Sequence, residues 1–326
     1  MQLTLADPDA RYAAVRLRSD LPAHEFARRN GEWRLELDDA LHRLEYRLEV
    51  VHEDGATETL LDPDNPHTAP GAFGDKSVLL GPAYAPPAWL GAPAVDGRTV
   101  SLKTPGRGFG GGLKIELWSP ADADPAEPLP LLVAHDGPEY DELSSVTRFA
   151  AAQIHAGALP AHRIALLPPG ERDEWYSASA RYTRALVQRL LPTVAEHAPS
   201  HGPPAAMGAS LGALALLHAQ RSHPGTFGAL FLQSGSFFTP RHDAHEVRFP
   251  HYHRVVGFVG TVHRAADLPP VPTTLTCGAA EENIHNNRLM AETLGAPLHE
   301  LGDTHNYTAW RDAFDPHLTR LLADAW

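Results

Sequence analysis

The sequence predicts an α/β domain behind an all-β domain, and three observations carry that reading. From about residue 98 onward, strand-like and helix-like segments alternate, the pattern of a mostly parallel sheet covered on both faces. The first ninety residues instead alternate apolar and polar side chains, with no helical stripe before residue 100. Between the two lies "AYAPPAWLGAP", 83–93, a Pro- and Ala-rich stretch that reads as a linker. The expected division is residues 1–93, linker included, and residues 94–326. A chain of 326 residues is long enough to bury a core in each.

In the first part, "YAAVRLR" and "EWRLELD" have strand periodicity, and "LEYRLEVVHEDG" carries it into a turn signal. "DPDNPH", 62–67, is a loop by its Pro, Asp and Asn content. These pieces predict a small β-sandwich of the immunoglobulin-like kind. In the second part, strands "TVSLKT" and "LKIELWSP" flank the Gly-rich "GRGFGGG", and "PLLVAHDG" is a buried strand ending in a loop. A helix over 144–158 follows, then strand "RIALLPP", helix "RYTRALVQRLLPTVAEHA", strand "PAAMGAS", helix "LGALALLHAQRSH" and strand "ALFLQSG". After a less regular stretch come strand "TTLTCGA", helix "NNRLMAETLG" and the short strand "PLHEL". The last helix carries Trp310, Phe314, Leu318, Leu321 and Leu322 on one face.

Composition excludes several classes of protein. Twenty-seven basic residues against forty acidic ones give a formal charge of −13, which argues against nucleic acid or anionic membrane as a partner. The longest apolar runs, "LGALALLHA" and "GALFLQ", fall short of the roughly 18 residues of a membrane span. The N-terminus has no basic start followed by an apolar stretch, so a cytoplasmic protein is expected. A single cysteine, Cys277, rules out an internal disulfide and thiolate metal clusters. Among twenty histidines, "HYH" at 251–253 and the pair His242 and His245 hint at a metal. No carboxylate or Cys pattern accompanies them, and neither metal nor organic cofactor is expected.

The chemistry concentrates in Gly208-Ala209-Ser210-Leu211-Gly212, which follows a strand and opens a helix. That context is the nucleophile elbow of the α/β-hydrolase fold. The serine occupies a strained turn, and its neighbours two positions away must lack bulk where strand and helix approach. The competing reading makes Ser210 a helix N-cap in an ordinary turn. A serine hydroxyl needs a base, and the hydrolase order is nucleophile, acid, histidine. His305, in the loop after the last predicted strand, is the candidate base. After "TTLTCGA" stand Glu281 and Glu282, of which only one can orient the imidazole; Glu281 is favoured. Asp303 lies too near His305 in sequence to reach the far ring nitrogen. The oxyanion donors are expected to be the N–H of Leu211 and that of Asp136 or Gly137 after the "LLVAH" strand.

"HDG", "GASLGALALLHAQRSHPGTFGALFLQSGSF", "CGAAEEN" and "HNYTAWRDAF" together resemble the enterochelin esterase-like branch of the α/β-hydrolases, over about residues 100–326. "GEWRLELD", "LDPDNP" and "FGDKSVL" resemble that family's N-terminal β-sandwich. The resemblance implies ester hydrolysis, with ferric catecholate siderophore lactones the best-known substrates. It puts the nucleophile on Ser210, the base on His305 and the acid on Glu281. "GERDEWYSAS" resembles the family's loop after the fourth catalytic-domain strand, which implies Arg172 and Glu174 as substrate-binding residues. A ferric tris-catecholate is strongly anionic, whereas the cations at hand are few: Arg172, Arg107 and Lys103. Two alternatives therefore stand beside the siderophore esterase. One is a general carboxylesterase or acyltransferase unrelated to iron; the other is a ligand- or carbohydrate-binding protein with an inactive hydrolase scaffold. The expected partner is a small-molecule ester, with the N-terminal domain either walling the active-site mouth or forming a homodimer contact.

Overall fold

The structure, a computed structural model, describes the chain except for residues 23, 38–40, 73, 107–110 and 266–269, and element counts here are of the described residues. Arg107, named above as a pocket cation, lies outside them. The chain divides into two compact units. The first comprises Met1–Pro86 together with two returns, Gly278–Glu282 and Glu300–Ala309; the second comprises Pro87–Cys277, Asn283–His299 and Trp310–Trp326. No helix among the described residues is long and apolar enough to cross a membrane.

The first unit is built on nine strands: β1 (Gln2–Ala6), β2 (Tyr12–Arg18), β3 (His24–Glu25), β4 (Ala27–Arg29), β5 (Glu32–Glu36), β6 (Arg43–His52), β7 (Thr57–Leu60), β8 (Thr68–Ala69) and β9 (Lys76–Leu80). One sheet has the order β1-β5-β4, the other β3-β2-β6-β9-β8, with β7 also on β6. Every strand pairing in these two sheets is antiparallel, in keeping with the short connections. Alternation builds the core: Leu3 and Leu5 from β1, Val15 and Leu17 from β2, Trp33 and Leu35 from β5 pack with Leu44, Tyr46, Leu48 and Val50 of β6. The opposite face of β6 departs from this pattern. Arg43, Glu45 and Glu49 lie there, and all three are buried.

An eight-stranded sheet, in the second unit apart from Gly278, Glu300 and Leu301, consists of β10 (Gly97–Lys103), β11 (Lys114–Pro120), β12 (Leu131–His135), β13 (Arg163–Leu167), β14 (Ala205–Ala209), β15 (Ala229–Gln233), β16 (Thr273–Gly278) and β17 (Leu298–Leu301). Its order is β10-β11-β13-β12-β14-β15-β16-β17. The pairs β10·β11 and β11·β13 are antiparallel; β12·β13, β12·β14, β14·β15 and β15·β16 are parallel. Every residue of β12, β13, β14 and β15 is buried, the mark of parallel strands covered on both faces. The cover comes from α1 (Gly137–Ser144), α2 (Val146–His155), α3 (Arg172–Tyr176), α4 (Ala180–Ala185), α5 (Leu191–His197), α6 (Leu211–Ser222), α7 (Tyr252–Arg264), α8 (Ile284–Leu294), α9 (Tyr307–Asp312) and α10 (Thr319–Ala325). The chain goes from β12 to β13 on one side and then to β14 on the other. Such a reversal opens a crevice beyond the carboxyl ends of β12 and β14.

Some elements differ from expectation. The single helix expected over 181–198 is α4 and α5 joined by a wider turn, Leu186–Leu190, just ahead of Pro192. Proline offers no N–H and crowds the preceding turn, so the ladder widens there. The less regular stretch contains α7, whose Tyr252, Val255, Val259 and Val262 form a buried stripe. The stripe was in the sequence, but β-branched valines, histidines and glycines are weak helix formers and hid it. The last expected helix breaks at Asp315 (φ −110°, ψ 123°), because a residue before proline is driven out of the helical region. Trp310, Phe314, Leu318, Leu321 and Leu322 are buried despite the break.

Candidate active site

In the second unit, Ser210 stands between β14 and α6 with φ 57° and ψ −124°. A side chain rarely holds that conformation, which costs on the order of 1–3 kcal/mol and must be imposed by its surroundings. Three backbone hydrogen bonds impose it: Ser210 N–H donates to Gln233 C=O at 2.9 Å, and the Ser210 carbonyl accepts from Leu214 (3.2 Å) and Ser236 (3.1 Å). The two glycines have separate reasons. A Cβ on Gly208 would lie 2.9 Å from the backbone carbon of Gly212, and one on Gly212 would lie 3.3 Å from Asp136 Oδ2. The Ser210 hydroxyl makes no bond to the helix it begins. It lies 3.1 Å from the hydroxyl of Ser236, in the loop after β15. Ser236 is a contact that sequence reading missed, since "QSGSF" carries no signal beyond a turn.

Alongside the elbow, β12 ends at His135 and the chain turns through Asp136 (φ 50°, ψ 37°) into α1. Gly137 is required here, for a Cβ would meet Leu166 Cα at 2.3 Å. His135 Nδ1–H donates to the Gly212 carbonyl at 3.1 Å, and its Nε2 accepts from the Tyr182 hydroxyl at 2.8 Å. Full burial lowers its pKa to about 4, so it is a neutral strut rather than a base. The Asp136 carboxylate is 2% exposed. It takes a two-pronged contact from Arg172, Nε to Oδ1 at 3.0 Å and Nη2 to Oδ2 at 2.9 Å. Burial raises the Asp136 pKa and the Arg172 guanidinium opposes it. The Asp136 N–H donates to the Tyr176 hydroxyl at 3.3 Å. Leu211 and Gly137 open α6 and α1, where first-turn N–H groups have no partner within the helix.

Arg172 and Glu174 both lie on the five-residue α3. Arg172 is directed to Asp136. Glu174 faces α7, where Arg254 Nη1 donates to both of its carboxylate oxygens at 3.2 Å and His251 Nε2 lies 3.1 Å away. Lys103 ends β10.

In the first unit, the returns after β16 and β17 bring Glu281 and His305 together. His305 Nδ1–H donates to Glu281 Oε2 at 2.8 Å. A carboxylate only accepts, so this bond leaves the lone pair on Nε2. Glu281 is 3% exposed, and its other oxygen accepts from Gly278 N–H at 2.7 Å. Gly278 is needed for the approach, because a Cβ there would lie 2.3 Å from the Asp303 carbonyl. Glu282 points to the exterior. Asp303 turns to Arg43 of β6, Nη1 to Oδ2 at 3.0 Å, and burial pushes its pKa up to about 6.

The histidines that hinted at a metal have other neighbours: His242 stacks on His285 with ring centres 5.5 Å apart, and His251 faces Glu174. Among the described residues no group of three or more His, Cys, Asp or Glu is arranged to hold a metal.

A largely parallel sheet with a strained serine turn between strand and helix defines an α/β-hydrolase. Residues 107–321 match the model of the family described as putative esterase, and the chain belongs to that family. It is a carboxylester hydrolase by that membership. Comparison with curated proteins gives no match. Among solved structures, the ferric enterobactin esterase of Salmonella typhimurium is similar in fold at 20% identity, covering 99% of this chain and 93% of that one with a TM-score of 0.78. An enterobactin esterase of Shigella flexneri covers 100% of this chain and 92% of its own at 19% identity and a TM-score of 0.71. A ferulic acid esterase covers 70% of this chain and 98% of its own at 15% identity and a TM-score of 0.57.

Proposed function

We propose that the protein hydrolyses carboxylic esters through a Ser210–His305–Glu281 triad and an acyl-enzyme. The observation that carries this reading is the Ser210 backbone, held at φ 57° and ψ −124° with its hydroxyl off the helix. An N-cap serine would adopt an extended backbone and accept from the helix's own N–H groups. In the proposed cycle Ser210 Oγ attacks the carbonyl carbon while His305 Nε2 takes its proton. Glu281 holds the imidazole tautomer and stabilises the imidazolium. The oxyanion is received by the N–H groups of Leu211 and Gly137; Asp136 N–H is already engaged by Tyr176. His305 then returns the proton to the leaving alcohol, the ester C–O bond breaks, and a water activated by the same histidine releases the acid.

For the substrate, a catecholate siderophore lactone comes first, supported by a fold likeness to the enterobactin esterases that spans nearly the whole chain. A second reading, a general carboxylesterase unrelated to iron, is favoured by the charges. Arg172 is directed to Asp136, Glu174 to Arg254, and the chain carries −13 overall, a poor setting for a tris-catecholate anion.

One set of assays tests the function and separates the substrates. A fluorophosphonate should label the wild type at Ser210, and Ser210→Ala should lower kcat roughly 10⁴- to 10⁶-fold with the fold intact. Ferric siderophore lactones and p-nitrophenyl esters, assayed in parallel, decide between the two ester classes. An unlabelled wild type would instead indicate a binding protein on an inactive scaffold.

A further inference from the structure

The buried charges on the outer face of β6 have no place in a sandwich core, and their neighbours explain them. Arg43 is 3% exposed. Its guanidinium fork spans two elements: Nη2 donates to Glu45 Oε1 at 2.6 Å on its own strand, while Nη1 donates to Asp303 Oδ2 at 3.0 Å and Asn306 Oδ1 at 3.2 Å. Asp303 and Asn306 bracket His305. The other oxygen of Asp303 accepts from Thr304 N–H (2.7 Å) and Asn306 Nδ2 (2.9 Å), and Asn306 Oδ1 also accepts from Ala309 N–H at 2.8 Å. The turn 303–306 is thus closed around one carboxylate, and that carboxylate is held by Arg43. The backbone repeats the attachment, since the N–H groups of His42 and Arg43 both donate to the Gly302 carbonyl, at 2.6 and 3.2 Å. Lys76 adds a second cation, 3.8 Å from Glu45 and 3.9 Å from Asp20.

We propose that Arg43 is a positioning residue for His305: its buried fork on Asp303 and Asn306 fixes the turn that carries the imidazole, and so makes β6 part of the machinery of ester hydrolysis. This rests on the triad reading above. The bond from Glu281 orients the ring about one nitrogen only, and the place of Nε2 is set by the backbone of the turn. A misplacement of about 1 Å at a reacting group is enough to cost on the order of 10²-fold in rate. The fork matters as well as the charge, because lysine presents a single ammonium and cannot address Glu45, Asp303 and Asn306 in one plane.

The experiment compares Arg43→Met, Arg43→Lys and Asn306→Ala with Val15→Ala, a core truncation on β2 that destabilises the same unit away from the turn. For Arg43→Met, kcat should fall on the order of 10²-fold with KM changed less than about threefold, and fluorophosphonate labelling should slow in parallel. Arg43→Lys and Asn306→Ala should each lose on the order of tenfold, while Val15→Ala lowers the melting temperature and keeps kcat. Millimolar guanidinium should restore part of the turnover of Arg43→Ala and none of that of His305→Ala. Should Arg43→Met fail to fold, the lysine and Asn306 variants carry the test. Folded Arg43 variants with wild-type kcat and labelling rate overturn the proposal, as does a Val15→Ala enzyme that loses kcat equally. If His305→Ala itself retains turnover, the triad reading has failed instead.

Discussion

Gly208 and Glu281 show how much rests on single atoms. A Cβ at Gly208 would press on the backbone carbon of Gly212, which has no flexible end to move aside. Gly208→Ala should therefore lower both the melting temperature and kcat, the latter at least tenfold, because relief of the clash shifts Ser210 or Leu211. Glu281 and Glu282 are adjacent in sequence and opposite in setting, one buried against His305 and the other exposed. Glu281→Gln should lower kcat on the order of 10³- to 10⁴-fold, since an amide favours the wrong imidazole tautomer, and Glu282→Gln should stay within twofold. Steady-state kinetics on one aryl ester reads both. Equal effects would remove Glu281 from the role proposed for it.

At the scale of elements, α3 and α6 are joined to the β12 turn by charge and by packing. Asp136 is almost fully buried, and Arg172, with a third of its side chain exposed, is the cation facing it. Arg172→Met strands that carboxylate. Discounted for the solvent that reaches Arg172, the loss should be about 2 kcal/mol in denaturant unfolding. Adding Asp136→Asn should recover part of it, and a double variant no better than the single would contradict the pairing. Leu216, fully buried in α6, should cost about 2–5 kcal/mol when cut to alanine. Helix α7 is the element least evident beforehand: its stripe has the right spacing, but local propensity did not support it, and packing against the core cluster decides it.

For the whole molecule, buried and half-buried histidines dominate the expected response to mild acid. His135, His162, His218 and His317 are each lowered to about 4 by burial, and His263 and His299 are lowered for the same reason. In the unfolded chain such groups titrate at about 6.5. Unfolding below that pH takes up protons, so stability is fully present above about 6.5 and is lost as pH falls toward about 4. Asp303, raised to about 6 by burial, acts in the opposite sense between its unfolded pKa and about 6, as do Asp20, Asp136 and Glu139, which burial also raises, whereas Asp7, Glu49 and Glu116, lowered by hydrogen bonds, act with the six histidines. The urea midpoint should drop from pH 7 to pH 5, with net proton uptake on unfolding. A midpoint that holds or rises would show that these histidines are not neutral in the fold.

Features made by neighbours in the chain were legible without the structure. A buried strand, a small-residue turn at Ser210 and an apolar helix lie within fifteen residues, and alternation in the first ninety marks a sandwich, because strand period and steric demand at a turn act locally. The identity of the residues that hold those parts in place was not legible. Arg43 and Asp303 stand 260 positions apart, and no periodicity or spacing links them. Ser236 meets Ser210 only because β15 lies beside β14 in the sheet. The sequence by itself determined the fold class and put forward the side chains proposed for acyl transfer. Only the tertiary structure decided which glutamate His305 touches, what Arg172 is directed to and which strand secures the His305 turn, because long-range pairing, burial and charge compensation belong to the packed chain alone.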